Sequence, residues 1–467
     1  MKEQKAPVIF AENESQGIGG KDQLSIAEAD LLVSDRLREL TGCDNRYEWF
    51  TLSGSKSIRA GCWVGVIQLG QRTVEVLPKI ENGATGSRVD LNEMLGVALG
   101  VKGLSRLSSN SSAGKFIEFF AHDYARRVSL LIQRGLPRRY VERRDLLQTI
   151  KGRIDLPRQI QADASALPYV ACAYDAFISD NPLSQFLKAG LVAATKLPVS
   201  PRTRRMLTSI LAELDEVSDR AVGRDELTQF TLGRNERDLL PLCNLASLIL
   251  RRKSFDTHMT DNQGKKLLGF SLMFNMWEIF EAYAVHELNR VLKDTPWLAH
   301  GHGTRLDGKA WYLGAGKLVQ LKPDIVIRKR SGDKAIVCVA DTKWKKDAGY
   351  VTKVTKRNTT RTNVTGVEPA DAYQALAYTA TLSAEEGLDF NEPIPVAIIY
   401  PKIGPRASTT RIKPDRSPID PLSFLRKETE PPLRLNAYKK VNHGLNGTIS
   451  LLYLNCPVTG SDSVAKQ

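Results

Sequence analysis

Residues 322–346 read KPDIVIRKRSGDKAIVCVADTKWKK. Two short β-type runs lie on either side of a turn signal. Ile325 to Ile327 is the first run, Ser331-Gly332-Asp333 is the turn, and Ala335 to Ala340 is the second run. An acid, Asp324, opens the first run, and Asp341-Thr342-Lys343 closes the second. Side chains on a strand alternate faces, so Asp341 and Lys343 point the same way. A hairpin folded at residues 331–333 brings Asp324 beside them, giving two carboxylates and one ammonium on a rigid edge.

That set suits phosphodiester hydrolysis. Adjacent carboxylates repel, and a hard divalent cation relieves the repulsion. Mg2+ takes oxygen ligands and keeps several waters, so two protein carboxylates are enough to hold it. Such an ion polarises a phosphate and acidifies a bound water. A lysine beside it orients that water and balances transition-state charge. The arrangement resembles the PD-(D/E)xK nuclease motif, with Pro323-Asp324 as its first half and Asp341-Thr342-Lys343 as its second. The short pattern has a plain alternative, a solvated strand end. Against that stands the apolar strand Ile336 to Ala340, which runs directly into two charges.

The chain has 467 residues, enough for two or three domains. Hydrophobic residues make up 42%, sufficient for real cores. Formal net charge is +14 and the pI is about 9.4, which suits a polyanion such as nucleic acid. The alternative is a basic protein without a particular partner. None of the six cysteines sits at metal-ligand spacing, so no zinc signature exists, and a reduced, cytoplasmic compartment fits. The first residues carry acids where a signal peptide needs an apolar run, and no apolar stretch approaches membrane-spanning length.

Outward from the opening stretch, periodicity predicts helices over residues 24–40, 91–99, 116–134, 183–197, 201–214, 236–250, 267–292 and 371–382. Trp63 to Leu69 and Arg72 to Leu77 form a hairpin about Gly70-Gln71, and Ile394 to Tyr400 is a buried-type strand. Residues 103–114 read as a loop. Asn181 is a credible helix N-cap with Pro182 in the first turn. The segment Arg134 to Arg153 is strongly basic, either a solvated face or a binding surface. Glu278 and Glu281 share a helical face, as edge residues or as acids aimed at a site. Residues 347–365 form a basic loop able to close over a DNA backbone. Gln374 and Tyr378 lie four apart on one helix face. Neither Gly20-Lys21 nor Gly114-Lys115 has the surroundings of a phosphate-binding P-loop.

Taken in order, Val64 to Ile80, Gly135 to Arg144 with Gly152-Arg153-Ile154, Asp180 to Leu183, Ile279-Phe280-Glu281, Pro323-Asp324, Asp341-Thr342-Lys343 and Tyr373 to Tyr378 resemble the McrC family. These are the nuclease subunits of McrBC 5-methylcytosine-dependent restriction systems. The resemblance runs from about residue 60 to 400. It implies an α+β multidomain chain. Residues 1–160 form a β-containing part docking to an AAA+ partner, 161–260 a helical middle, and 261–467 an α/β restriction-endonuclease-like PD-(D/E)xK domain. It also implies a Mg2+-dependent DNA endonuclease. The partner is an McrB-like hexameric AAA+ GTPase, which binds the GTP, and the substrate is double-stranded DNA carrying modified cytosine. By position, Asp324, Asp341 and Glu281 ligate Mg2+, with Glu278 as substitute for Glu281. Lys343 is the catalytic lysine, and Gln374 and Tyr378 match the QxxxY helix of RecB-like nucleases. The alternatives are a stand-alone RecB-like repair nuclease and a non-cutting GTPase activator or DNA-binding stalk, with the hairpin at residues 62–79 as its docking element.

Overall fold

The computed structural model describes the chain outside residues 1–6, 105–112, 224–231, 253–268, 302–310, 314–318, 331–335, 346–368, 386–393, 403–434, 443–447 and 456–467, and outside a few shorter stretches. The architecture is mixed α/β, with several small sheets and one larger one.

The N-terminal part begins with β1 (Val8–Ala11), β2 (Ser15–Gly17), α1 (Ile26–Val33), α2 (Asp35–Thr41), β3 (Thr51–Leu52), β4 (Ser57–Arg59), β5 (Trp63–Leu69) and β6 (Arg72–Leu77). The single helix expected over residues 24–40 is two, because Ser34 leaves helical geometry and caps the second one, accepting from Leu37 N. Strands β2, β4 and β3 make a small sheet of their own. The β5–β6 hairpin forms in the expected register, Leu69 opposite Arg72. Its nearly continuous apolar side chains are buried, and it lies inside a sheet of order β1-β6-β5-β10. The strands are thus taken up by the core, and the tip of the hairpin at Gly70-Gln71 lies outside the described residues.

Next come α3 (Gly83–Ala98), α4 (Ala113–Arg134), β7 (Arg139–Leu147), β8 (Arg153–Ile154), α5 (Leu156–Ala164), β9 (Val170–Ile178), α6 (Pro182–Thr195), α7 (Pro201–Glu213) and, after a 3-10 turn, α8 (Leu240–Arg252). Asn181 caps α6 as its sequence suggests, accepting from Leu183 N and Ser184 N, with Pro182 first in the helix. The basic segment is built around a strand, β7, paired along nine positions with β9. The middle of the chain is therefore helical around a small sheet of order β7-β9-β8, rather than helical throughout.

The helix expected over residues 267–292 is corrected most. Residues Gly269–Asn275 are β10, paired antiparallel with β5, and only Met276–Val291 is helix, α9. A short, mostly apolar run such as Phe270 to Phe274, interrupted only by Ser271, fits strand and buried helix equally. Asn275 decides the boundary, its side chain accepting from Trp277 N at 2.9 Å.

The remainder comprises β11 (Trp297–Gly301), β12 (Trp311–Leu313), β13 (Val319–Leu321), β14 (Ile325–Lys329), β15 (Ile336–Thr342), α10 (Pro369–Glu385), β16 (Val396–Lys402), β17 (Leu435–Asn442) and β18 (Thr448–Asn455). The largest sheet has the order β11-β14-β15-β16-β18-β17. β17 and β18 extend it beyond what the sequence reading reached. β14 and β15 pair antiparallel as expected, and the turn at residues 331–333 lies outside the described residues. β15 and β16 run parallel with α10 between them in the chain.

The central strands β14, β15 and β16 are buried on both faces, and strand alternation sorts most of their side chains between two cores. Ile325, Ile327, Cys338, Ala340, Ala397 and Ile399 join the core that contains Ile279, Phe280 and Tyr283 of α9. Val326, Val339, Val396, Ile398 and Tyr400 join a second core with Ala375, Tyr378 and Leu382 of α10. The layers are thus α9, sheet, α10. Among the described residues no helix is long and apolar enough to cross a membrane.

Candidate active site

The site forms at the carboxyl end of β15, where open α/β sheets expose the ends of their strands. Asp341 follows Val339 by two and so shares the α10 side of the sheet. Lys343 follows Asp341 by two and makes an ion pair with it. The strand is clamped there on its other edge, since Lys343 N donates to Ile399 O of β16 at 2.8 Å.

Asp324 reaches the same place from the start of β14. Its Oδ2 accepts from both Thr342 N, at 2.7 Å, and Thr342 Oγ1, at 2.6 Å. The direct partner of the first acid is thus Thr342, and its carboxylate acts on Asp341 and Lys343 through space. Burial raises Asp324 above the ordinary carboxylate range, and the Glu281 charge adds to this. The Thr342 bonds and Lys343 oppose it. Burial raises Asp341 too, with Asp324 adding to the effect and Lys343 opposing it; the result is about 6. Two carboxyls held up by burial and by neighbouring carboxylates are the condition a cation relieves.

Helix α10 supplies the rest. Lys343 Nζ donates to Gln374 Oε1 at 2.8 Å, Gln374 Nε2 donates to the Tyr378 hydroxyl at 2.8 Å, and that hydroxyl donates to Lys322 O at 3.0 Å. This chain of bonds returns to the residue just before Pro323-Asp324. The helical spacing of Gln374 and Tyr378 therefore closes a ring around the two halves of the motif. Burial pushes the Tyr378 phenol up, with Asp341 adding to the effect, so it stays a neutral donor.

Glu281 is half-buried on α9 and its charge reaches Asp324, whereas Glu278 is exposed. A Cβ added to Gly301, at the end of β11, would lie 3.9 Å from Glu281 Oε1, so Glu281 faces that sheet edge. Among the described residues no group of three or more His, Cys, Asp and Glu is gathered closely enough to hold a metal by itself. The donors available are hard oxygens from Asp324 and Asp341, a set that fits an ion keeping most of its waters.

Sequence reasoning missed three contributors. Thr342 fixes Asp324. Asp371, buried in the first turn of α10, accepts from Tyr400 Oη at 2.7 Å and pairs with Lys345 Nζ at 2.6 Å. Lys345 stands just before the basic loop and has no local pattern that marks it out. Strand alternation turns Thr342 away from Asp341 and Lys343, which hides its bond to Asp324 from a reading of the sequence. The Asp371 contacts join distant segments and leave no local pattern. The basic loop at 347–365 lies outside the described residues.

Among curated proteins none matches this chain. Among solved structures it is similar to a refined half-complex from a tetradecameric assembly of Thermococcus gammatolerans McrB AAA+ hexamers with bound McrC. Identity is 15% and the TM-score 0.50, over 96% of this chain and 95% of that one. It also matches the cryo-EM structure of the Thermococcus gammatolerans McrBC complex at 18% identity and a TM-score of 0.42, over 62% of this chain and 88% of that one. A family model described as the McrBC 5-methylcytosine restriction system component matches residues 58–401. That span holds the buried hairpin, the middle region and every candidate site residue, and on it the chain belongs to the family of McrBC 5-methylcytosine restriction system components.

Proposed function

We propose that this chain is the Mg2+-dependent DNA endonuclease subunit of a modification-dependent restriction system. It cuts double-stranded DNA carrying modified cytosine when driven by a hexameric AAA+ GTPase whose hydrolysis it stimulates. The observation that carries the reading is the closed set Asp324–Thr342, Asp341–Lys343–Gln374–Tyr378 at one strand end. On this reading the part from residue 261 onward is the PD-(D/E)xK nuclease unit, and the earlier parts serve the partner.

Asp324 and Asp341 are the residues that would hold magnesium, with Glu281 as the acid supporting it from α9. The ion, when bound, supplies Lewis acidity toward the scissile phosphate and its attacking water. Lys343 presents its ammonium toward the same space and balances charge as the phosphorane forms. Gln374 holds that ammonium in one direction, and Tyr378 holds Gln374. A donor fixed in advance is worth more than one that must be ordered during the reaction.

The partner reading rests on family membership, since McrC of the Thermococcus gammatolerans assembly is bound to McrB AAA+ hexamers. With β5 and β6 buried, the docking surface falls to the small sheet β7-β9-β8 and α5. There Tyr140, Phe177, Ile150, Leu156 and Ile160 are exposed, Tyr140 at 74% and Ile160 at 70%. Exposed apolar groups gathered on one small element mark an interaction surface. The Tyr140 and Phe177 rings face each other across the β7–β9 pair, tilted by 40° with centroids 5.0 Å apart.

The test is cleavage of methylated DNA by the complex with GTP, comparing Asp341→Ala with the wild type. Loss of cutting with GTP hydrolysis retained is the expected result. Undiminished cutting would remove the site from the account.

A further inference from the structure

Trp344 directly follows Lys343 and is almost wholly buried. Its indole Nε1 donates to Glu12 Oε2 at 2.6 Å. Its backbone oxygen accepts from Lys79 Nζ at 3.1 Å, and the same ammonium lies 5.9 Å from the centre of the indole ring. Lys79 Nζ is also 4.0 Å from Glu12 Oε1. Glu12 follows β1 and Lys79 follows β6, two strands that pair in parallel, and Glu12 N donates to Leu77 O at 2.8 Å. One residue beside the candidate lysine is thus gripped, at side chain and backbone, from a sheet that lies more than 250 positions earlier.

The other side of the site is tied to the same sheet. β10 is its edge strand and runs straight into α9, which carries Glu281 and packs Phe280 on Trp344 with ring centroids 5.1 Å apart. The N-terminal sheet therefore holds α9 through the chain itself and the end of β15 through Glu12 and Lys79. A buried carboxylate is costly unless it serves its partners. Burial lifts Glu12 to about 7 even against Lys79 and the indole bond.

We infer that Glu12 and Lys79 are positioning residues of the cutting site, holding Trp344 and through it Lys343 and Asp341 in register with Glu281. The inference rests on the nuclease reading above. It gives the sheet β1-β6-β5-β10 a task at the reacting groups, as the support that both α9 and the end of β15 rest on.

The experiment uses the full chain in complex with its GTPase partner, with single-turnover cutting of methylated DNA at saturating and limiting DNA. Trp344→Phe removes the indole donor together with part of the ring, Glu12→Ala removes the acceptor, and Glu12→Gln keeps an acceptor without the charge. Lys343→Ala controls the nuclease reading. The expected result is a fall of about ten- to hundredfold in cutting rate for Trp344→Phe and Glu12→Ala, the scale of a small misplacement of reacting groups. Half-saturation by DNA and GTP hydrolysis stay unchanged, the double variant is no worse than either single one, and Glu12→Gln recovers most of the rate. Wild-type cutting by Trp344→Phe and Glu12→Ala, beside an inactive Lys343→Ala, overturns the inference and leaves the nuclease reading standing. Losses that multiply in the double variant and track its melting temperature also overturn it. Wild-type cutting by Lys343→Ala overturns both readings together.

Discussion

The Lys343 ammonium donates to Gln374 Oε1 across 2.8 Å, so a side chain at the end of β15 is oriented by the helix that follows it in the chain. Lys343 also pairs with Asp341, and the two contacts together leave the ammonium little freedom. Gln374→Ala keeps the lysine and both acids but frees the ammonium to rotate. Cutting by the complex should fall about tenfold, less than the loss in Lys343→Ala, because the charge remains and only its direction is lost. Tyr378→Phe should act more weakly, on the scale of about 1 kcal/mol, because its hydroxyl reaches the ammonium only through Gln374. Single-turnover rates of the three variants rank the effects. An order with Gln374→Ala as damaging as Lys343→Ala would mean that Gln374 meets the substrate itself.

Thr342 is the counterpart on the first acid. Its hydroxyl and its N–H both donate to Asp324 Oδ2 and hold that carboxyl down against burial. Thr342→Val has nearly the same shape, keeps the N–H and removes the hydroxyl. The Asp324 carboxyl should then rise, so that more of it is protonated at a given pH and unable to ligate a cation. The magnesium concentration for half-maximal cutting should increase, and increase more at pH 6.5 than at pH 8. Equal increases at both pH values would assign the effect to geometry rather than protonation.

Much of this site was legible because the rules that build it are local. Alternation along a strand puts Asp341 and Lys343 together, and helical spacing puts Gln374 beside Tyr378. The N-cap at Asn181 is likewise a matter of adjacent residues. The errors have a common physical origin. Residues 270–274, Phe-Ser-Leu-Met-Phe, are apolar but for Ser271, and so short a run does not tell a strand from a helix; the cap at Asn275 is the local clue. The β5–β6 hairpin was read correctly as a hairpin, but its burial depends on β1 and β10, far off in sequence. The contact of Glu12 with Trp344 spans 332 positions and leaves no pattern in either segment.

The exposed face of β7, β9 and α5 gives a prediction that separates docking from folding. Tyr140 and Ile160 are mostly solvent-exposed, so replacing them with polar residues costs the folded chain little. Tyr140→Ser with Ile160→Asp should leave the melting temperature within a few degrees yet weaken association with the GTPase about tenfold or more, as loss of aromatic and aliphatic anchors does. Stimulated GTP hydrolysis should fall in step. Full stimulation by this variant at limiting concentration would move the docking surface elsewhere.

Glu12 makes a prediction about stability with a definite sign. Its folded pKa is raised from 4.5 to about 7, with burial as the main cause. Below pH 4.5 the group is protonated in both the folded and unfolded chain and contributes no pH dependence. Between pH 4.5 and 7 the folded chain keeps a proton that the unfolded chain releases, so stability falls as pH rises. Above pH 7 the penalty is complete, at most about 3 kcal/mol for a shift of this size. Glu12→Gln keeps the acceptor for the Trp344 indole and never carries a charge, though it gives up the attraction to Lys79. Its stability relative to the wild type should therefore climb from pH 5 to pH 8. Urea unfolding of both proteins at those two pH values measures the change directly. A difference that is the same at pH 5 and pH 8 would show that Glu12 is already ionised throughout, held as a carboxylate by Lys79.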